Sequence, residues 1–339
     1  MARFVGLSIN KGKQGGGGTI TKTDPFTRAS GITTDSSNNV TAVTLGDNSY
    51  SNITYNSDGL ITEYTESIGG VDKIWELTYD SNNLVSTILE QIPSQPPGQA
   101  LFTNPGTYSW TCPGGHTSVS AICVGAGGGG GGALVWKNNI PVTPGQSYTV
   151  VVGAPGIGGG AGIEGTSGGD SSFNWVSQSM TAQGGTGTAS DSNNGTKGGR
   201  LGDYDGGGNG GVAGLHGYNG AGAGGYNGTG GTAPVGTGDE SGASGSGAGG
   251  GGAWAYYAGG GVGLYGMTGQ TGGDVSGDGE GGSGGQNGKG PGSDGQNSET
   301  GGDFGGGYSS RWSGNKGGRG AVRIMWGGGR SFPNNAGDV

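Results

Sequence analysis

Two histidines, His116 and His216, and two cysteines, Cys112 and Cys123, are the whole supply of imidazoles and thiols in 339 residues. Their spacing pairs no nucleophile with a base. The cysteines are too few for a disulfide framework and read as small buried residues in neighbouring strands. Asp203-Tyr204-Asp205 followed by Asn209 opens like a calcium loop, but Gly214 stands at the twelfth position, where a bidentate glutamate would close the cage. Asp274, Asp278 and Glu280 read as a soluble loop rather than a metal site or a glycosidase pair. GxGxxG patterns recur by chance in so glycine-rich a chain. The nearest approach to a phosphate loop fails, because Gly290 follows Gly288-Lys289 and Ser283 holds the place of the first glycine. No catalytic residue, cofactor-binding residue or metal ligand is assigned, and the expectation is a protein that is not an enzyme and carries no cofactor.

The informative side chains are of another kind. Tyr204, His216, Tyr218, Tyr226, Trp254, Tyr256, Tyr257, Tyr265, Tyr308 and Trp312 sit in or beside glycine runs. Aromatic groups among Gly, Ser and Asn make rigid, amphipathic contact surfaces at little entropic cost. These ten are the expected receptor-binding residues. The other reading of the same rings is packing over a glycine scaffold or at its ends.

That scaffold is written in a period of three. In Gly153–Gly168 glycine falls at 153, 156, 159, 162, 165 and 168, and phased runs recur at 208–220, 222–231, 260–272 and 279–288. The places between hold glycine no more often than the chain as a whole, which has 93 in 339 residues. Neither an α-helix nor a strand repeats every third residue. A polyproline-II-type helix does, and an edge without Cβ lets another backbone come close. Ordering a residue costs roughly 1–2 kcal/mol and a net hydrogen bond returns about 0.5–1.5 kcal/mol. A bundle of such helices therefore needs a conventional core to clamp it.

The core is expected on both sides of the glycine block. Thr107–Gly115 and Ser118–Gly125 read as two strands joined by a Pro-Gly turn, with Trp110 and Cys112 sharing one face and Val119, Ala121 and Cys123 another. Ala321–Trp326 alternates, with Val322, Ile324 and Trp326 on one face, and is expected to pair with the strands of residues 107–152. Upstream, Thr33–Leu45, Thr54–Glu66 and Thr78–Glu90 repeat a Thr, a polar turn and alternating apolar residues. Asn38-Asn39, Asp58-Gly59 and Asn82-Asn83 supply hairpin turns. The repeat resembles the YD-type hairpins of bacterial surface proteins.

The expected fold is all-β: an N-terminal antiparallel β meander, then a small β-sandwich clamping a polyglycine-II helix bundle. Its parts are an arm at 1–18, flexible or docking, a hairpin-repeat attachment domain at 19–92, and a Pro-rich linker at 93–104. The β core takes 105–152 and 321–333, the glycine bundle with variable loops 153–320, and a tail 334–339. A net charge of −9 and a pI near 4.6 argue against nucleic acid. The start of the chain resembles no signal peptide, and no apolar run has the length of a membrane span.

VGAGGGGGG (124–132), WKNNIPVTPGQSYTVVVGAPG (136–156) and the closing GGRGAVRIMWGGGRSFP (317–333) resemble the glycine-rich domain of phage tail proteins, in the style of marine phages that infect cyanobacteria. The arrangement is also similar to the tail-fibre tip adhesins of T-even phages, from which the N-terminal meander departs. The resemblance implies a virion protein of the tail fibre or tail tip, made in the host cytoplasm, with a polyglycine-II sandwich whose loops contact the host. The partners it implies are other virion tail proteins through residues 1–92 and a host cell-surface receptor, an outer-membrane protein or a glycan. A homotrimer is a candidate assembly. The alternative is a purely structural virion component, a fibre shaft, baseplate or head decoration that uses the bundle as a rigid spacer.

Overall fold

A computed structural model describes residues 29–37, 39–45, 48–68, 71–91, 96–160, 163–187, 197–214, 219–233, 257–267, 300–309 and 313–337. The expected arm at 1–18 lies outside them. The chain divides into two compact units, Met1–Ser94 and Gln95–Val339. Among the described residues every regular element is a strand.

The first unit is the expected meander. Strands β1 (Ala29–Thr34), β2 (Val40–Leu45), β3 (Asn48–Tyr55), β4 (Ile61–Ile68), β5 (Val71–Tyr79) and β6 (Val85–Gln91) pair antiparallel in chain order. The turns within the repeats are five-residue loops tied by a side chain rather than two-residue hairpins. Asp35 Oδ1 accepts from the N–H of Ser37 and Asn39, Asn56 Oδ1 from Asp58 and Leu60, and Asp80 Oδ1 from Asn82 and Leu84. This is the local acceptor role that favours Asp and Asn in turns. Gly59 and Asn83 hold positive φ of 77° and 59°. Tyr50, Tyr64 and Trp75 share one face, with ring centroids 6.0 and 6.5 Å apart, and Glu66 accepts from Tyr50 Oη and Trp75 Nε1. Burial, with the Glu66 charge beside it, pushes the Tyr64 phenol up to about 12.

The second unit is a sandwich. One sheet has the order β16 (Gly206–Gly208), β10 (Leu134–Pro141), β9 (Ser118–Val124), β18 (Ala321–Trp326), β7 (Gly98–Phe102). The other runs β15 (Arg200–Gly202), β14 (Gln178–Ala182), β13 (Ser171–Trp175), β11 (Ser147–Val152), β8 (Gly106–Thr111). β12 (Ile157–Gly159) and β17 (Ser313–Lys316) form a separate pair. β18 pairs with β9, as expected, and also with β7. β7 lies inside the stretch expected as linker: beyond Pro97 the residues Gln99, Ala100, Leu101 and Phe102 are free to extend against β18.

Trp110 centres the core between the sheets, 6.0 Å from Tyr148 and Phe173 and 5.9 Å from Trp326. Val119, Ala121, Cys123, Val322 and Ile324 join it, on the faces their alternation assigns. Cys112 and Cys123 belong to facing sheets rather than neighbouring strands, because the turn at Pro113-Gly114 carries the chain across the sandwich. Both are free and buried, and burial raises both thiol pKa values. The first sheet is covered on its second face too, where Ile122, Val124, Leu134 and Met325 meet Tyr226, Val262, Leu264, Phe332 and Ala336. Each large apolar side chain so buried contributes ~1.5–3 kcal/mol.

Arg323, fully buried on that second face, is solvated by the protein itself. It donates to Gln99 Oε1, to the Leu264 and Ala336 carbonyls and to the Gly337 carbonyl, with its guanidinium 4.4 Å from the Tyr265 ring centroid. One side chain thus ties β7, β18, the 264–265 segment and the C-terminal residues together. Arg323→Leu should cost ~3 kcal/mol or more, because Gln99 Oε1 and the buried Leu264 and Ala336 carbonyls lose their Arg323 donor, while the Gly337 carbonyl keeps Arg330. Denaturant unfolding measures it, and Arg323→Lys should not restore the loss, since an ammonium cannot span the same fork.

His116 Nε2 is buried with no hydrogen-bond partner, the ring 6.2 Å from Trp326, and burial lowers the imidazole pKa. Below the ordinary imidazole pKa of about 6.5 the unfolded chain takes up a proton that the folded chain resists. Stability should therefore fall as pH drops through that value and level off below the folded pKa. Thermal melts at stepped pH should show this slope in the wild type and a shallower one in His116→Phe.

Candidate functional site

The glycine segments form a lattice held by backbone hydrogen bonds. In 220–225 the N–H groups of Gly220 and Ala223 donate to Tyr257 and Gly260, those of Ala221 and Gly224 to Gly129 and Gly132, and those of Gly222 and Gly225 to Gly231 and Gly228. Three neighbours are each revisited after three residues, which a three-residue turn requires. The same step of three appears in Thr166→Ile157 with Gly169→Ala154, Gly317→Gly156 with Gly320→Gly153, and Gly259→Gly307 with Val262→Phe304. A Cβ on the phased Gly153, Gly156, Gly159, Gly168, Gly208, Gly211 or Gly220 would lie under 3.0 Å from a backbone carbonyl oxygen. So would one on Gly210, Gly224 or Gly230, which stand between the phased positions, so contact edges are not confined to the phased glycines.

A phased run is not one rod, however. Residues 153–160 lead out and 163–169 return beside them, with Gly160 at φ 91° ahead of the reversal. The stretch 153–320, expected as a glycine bundle with variable loops, also contains the β13–β14 hairpin, whose Phe173, Trp175 and Met180 enter the sandwich core.

Strand pairing fixes the lattice's direction. The ends of β9, β11 and β14 and the starts of β10, β13 and β18 lie together, bridged by Gly125→Ala133, Ala126→Gly169, Ala133→Gln183 and Gly320→Gly153. From that base, 153–160, 183–187, 208–214, 228–233 and 305–309 run outward, while 163–169, 197–199, 219–225, 257–262 and 316–320 run back. The described residues on either side of 161–162, 188–196, 215–218, 234–256 and 310–312 therefore all stand at the far end, an outgoing segment before each and a returning one after it. Described residues meet there: Gly220 N–H donates to the Tyr257 carbonyl, Tyr257 N–H to Asn219 Oδ1, and Gly187 N–H to Ser167 Oγ.

The ten aromatic and histidine candidates divide accordingly. His216, Tyr218, Trp254, Tyr256 and Trp312 lie outside the described residues. Tyr257, half-buried, stands where the returning segment 257–262 begins. Tyr308 is fully buried beneath, its hydroxyl donating to the Thr166 carbonyl in space left by the missing Cβ of Gly165. Tyr226 is an internal residue at the base: 1% exposed, stacked on Phe332, donating to the Gly263 carbonyl and accepting from Gly266 N–H. Burial raises its pKa. Tyr204 lies under the Arg200 guanidinium, 5.2 Å from it, and Tyr265 under Arg323, both away from the far end. Ile163, 63% exposed beside the Gly160 reversal, was not among the expected residues. Its signal in the sequence is a lone large apolar residue in a glycine run.

Asp203 and Asp205, the incipient calcium loop, both bind Lys137 Nζ, at 2.9 and 3.2 Å, and Asp205 also accepts from Asn138 N–H. These bonds raise the Lys137 pKa. Among the described residues no group of three or more His, Cys, Asp or Glu gathers to hold a metal. Asp274, Asp278 and Glu280 lie outside them.

Fold and lattice together define an all-β protein with a backbone-bonded glycine array mounted on a sandwich. The chain belongs to the glycine-rich domain family, whose model matches residues 103–327. No curated protein matches it.

Gly156→Ala should destabilise this unit by more than ~3 kcal/mol, because its Cβ would overlap the Thr166 carbonyl oxygen. Gly328→Ala, with nothing within 4 Å of the added methyl, should stay within about 0.5 kcal/mol. Denaturant melts of both variants read the contrast.

Proposed function

We propose that the protein is a phage virion component of the tail fibre or tail tip that binds a host cell-surface receptor through the far end of its glycine lattice. The observation that carries this reading is topological. The described residues on either side of 215–218, 234–256 and 310–312, the stretches that hold His216, Tyr218, Trp254, Tyr256 and Trp312, all stand at the end of the backbone-bonded scaffold opposite the sandwich. Binding loops on a rigid frame are the common arrangement for recognition, and aromatic side chains dominate such contacts. The net charge of −9 disfavours adsorption to an anionic surface by electrostatics alone. Contact then rests on aromatic stacking and hydrogen bonds to an outer-membrane protein or a glycan. Residues 1–92 serve attachment to other tail proteins.

The test replaces Trp254, Tyr256 and Tyr257 together by Ser in virions. Assembled particles should adsorb at least about tenfold more slowly, since a buried aromatic anchor is worth ~2 kcal/mol or more at an interface. Wild-type adsorption after replacement of every far-end connection in turn would favour the structural alternative, a rigid spacer without host contact.

A further inference from the structure

The meander holds both halves of an interface that it makes twice internally. Its three repeats pair alike: Thr33↔Ala42, Thr54↔Glu63 and Thr78↔Thr87, with Thr34↔Val40, Tyr55↔Ile61 and Tyr79↔Val85 after the same irregularity. Successive repeats join second strand to first strand, β2 to β3 and β4 to β5. At each junction a tyrosine of the later repeat reaches back: Tyr55 Oη donates to the Val40 carbonyl and Tyr79 Oη to the Ile61 carbonyl. By the repeat, the open side of β6 is equivalent to the sides of β2 and β4 that carry those junctions. The open side of β1 is equivalent to the joined sides of β3 and β5. Among the described residues neither open side pairs with a strand.

Burial records the missing neighbour. Leu60, Ile61 and Tyr64 are half-buried and Thr65 is buried where β5 covers β4. Their counterparts on the last repeat, Leu84, Val85, Ile88 and Leu89, are 64, 48, 36 and 50% exposed, and they are more apolar at the last two positions. A long apolar edge of this kind is a template for another strand.

We propose that β6 of one copy is covered by β1 of a second copy, so that the meander continues head to tail across the molecular boundary. The chain supplies both complementary edges, which is the reason for a second copy rather than an unrelated strand. Thr34 occupies the place of Tyr55 and Tyr79, so the reaching-back bond is absent and this junction is weaker than the internal ones. Association is therefore reversible and concentration-dependent. Such a heterologous contact closes into a ring or extends as a filament, according to the rotation it imposes. The inference does not depend on the adhesin reading.

Sedimentation of the full chain over a concentration series tests it. Wild-type protein should form species larger than the monomer. Val85→Lys with Leu89→Lys places charge on the β6 edge and should leave a monomer. Ile32→Pro blocks the other side: Asp35 N–H points across the turn to Asn39, so by alternation the Ile32 N–H points away from β2. That variant should also be monomeric, with circular dichroism checking that both retain the sheet. Mixing the two should restore a one-to-one dimer, because one chain keeps β1 and the other β6. A monomeric wild type, including one whose β6 amides are protected by its own chain, overturns the proposal. So does self-association of either blocked variant, or failure of the folded pair to combine.

Discussion

The larger unit depends on one contact, a backbone N–H donating to a backbone carbonyl across an edge that carries no Cβ. A strand spends its donors on neighbours in one plane. The segment 220–225 spends them on three neighbours in turn, and the close approach this needs is possible because Gly131, Gly224, Gly230 and Gly259 lack a side chain. A composition that reads as disorder thereby becomes an ordered hydrogen-bond array. Because ordering each residue costs about as much as a net hydrogen bond returns, the array forms where something else holds its ends. Six strand termini at one end of the sandwich do so.

That dependence explains why the sandwich is built as it is. β9 and β18 are buried on both faces, one by the opposing sheet and one by Tyr226, Val262, Leu264 and Phe332. Apolar residues leaving the lattice thus fold back over the sheet that starts it. Arg323 sits inside this second core and gathers carbonyls from 264 and 336–337, closing the chain's last residues onto the strand that ends the glycine block. Core and lattice share residues, so neither is an appendage of the other.

Much of this was legible in the residues. The period of three gave the lattice, the Thr-turn-apolar repeat gave the meander, and alternation placed Trp110, Ala121 and Ile324 on the correct faces. What stayed hidden has identifiable causes. A phased run such as Gly153–Gly168 looks continuous because an outgoing and a returning rod both need the same bare edge, so glycine phase is blind to the reversal. β7 was concealed by three nearby prolines, and the facing placement of Cys112 and Cys123 by a Pro-Gly turn that would equally suit a hairpin. Among the candidate rings, Tyr226 and Tyr308 have the same glycine-rich surroundings as Tyr257. Only their hydroxyl partners and lack of exposure separate packing from surface.

The lattice also explains how such a protein can vary. Its bonds fix where each connection starts and ends, and they are made by backbone atoms, so they place no demand on the residues in between. The stretches between those fixed ends range from residues 161–162 to residues 234–256, and the entropy of closing a loop rises only logarithmically with its length. Lengthening or rewriting a connection therefore costs the scaffold little, whereas one methyl on a bare edge costs it several bonds. A molecule under pressure to change what it binds, as the proposed adhesin is, gains from that asymmetry: a substitution that alters recognition leaves the frame intact, and one that would unseat the frame falls on a bare edge.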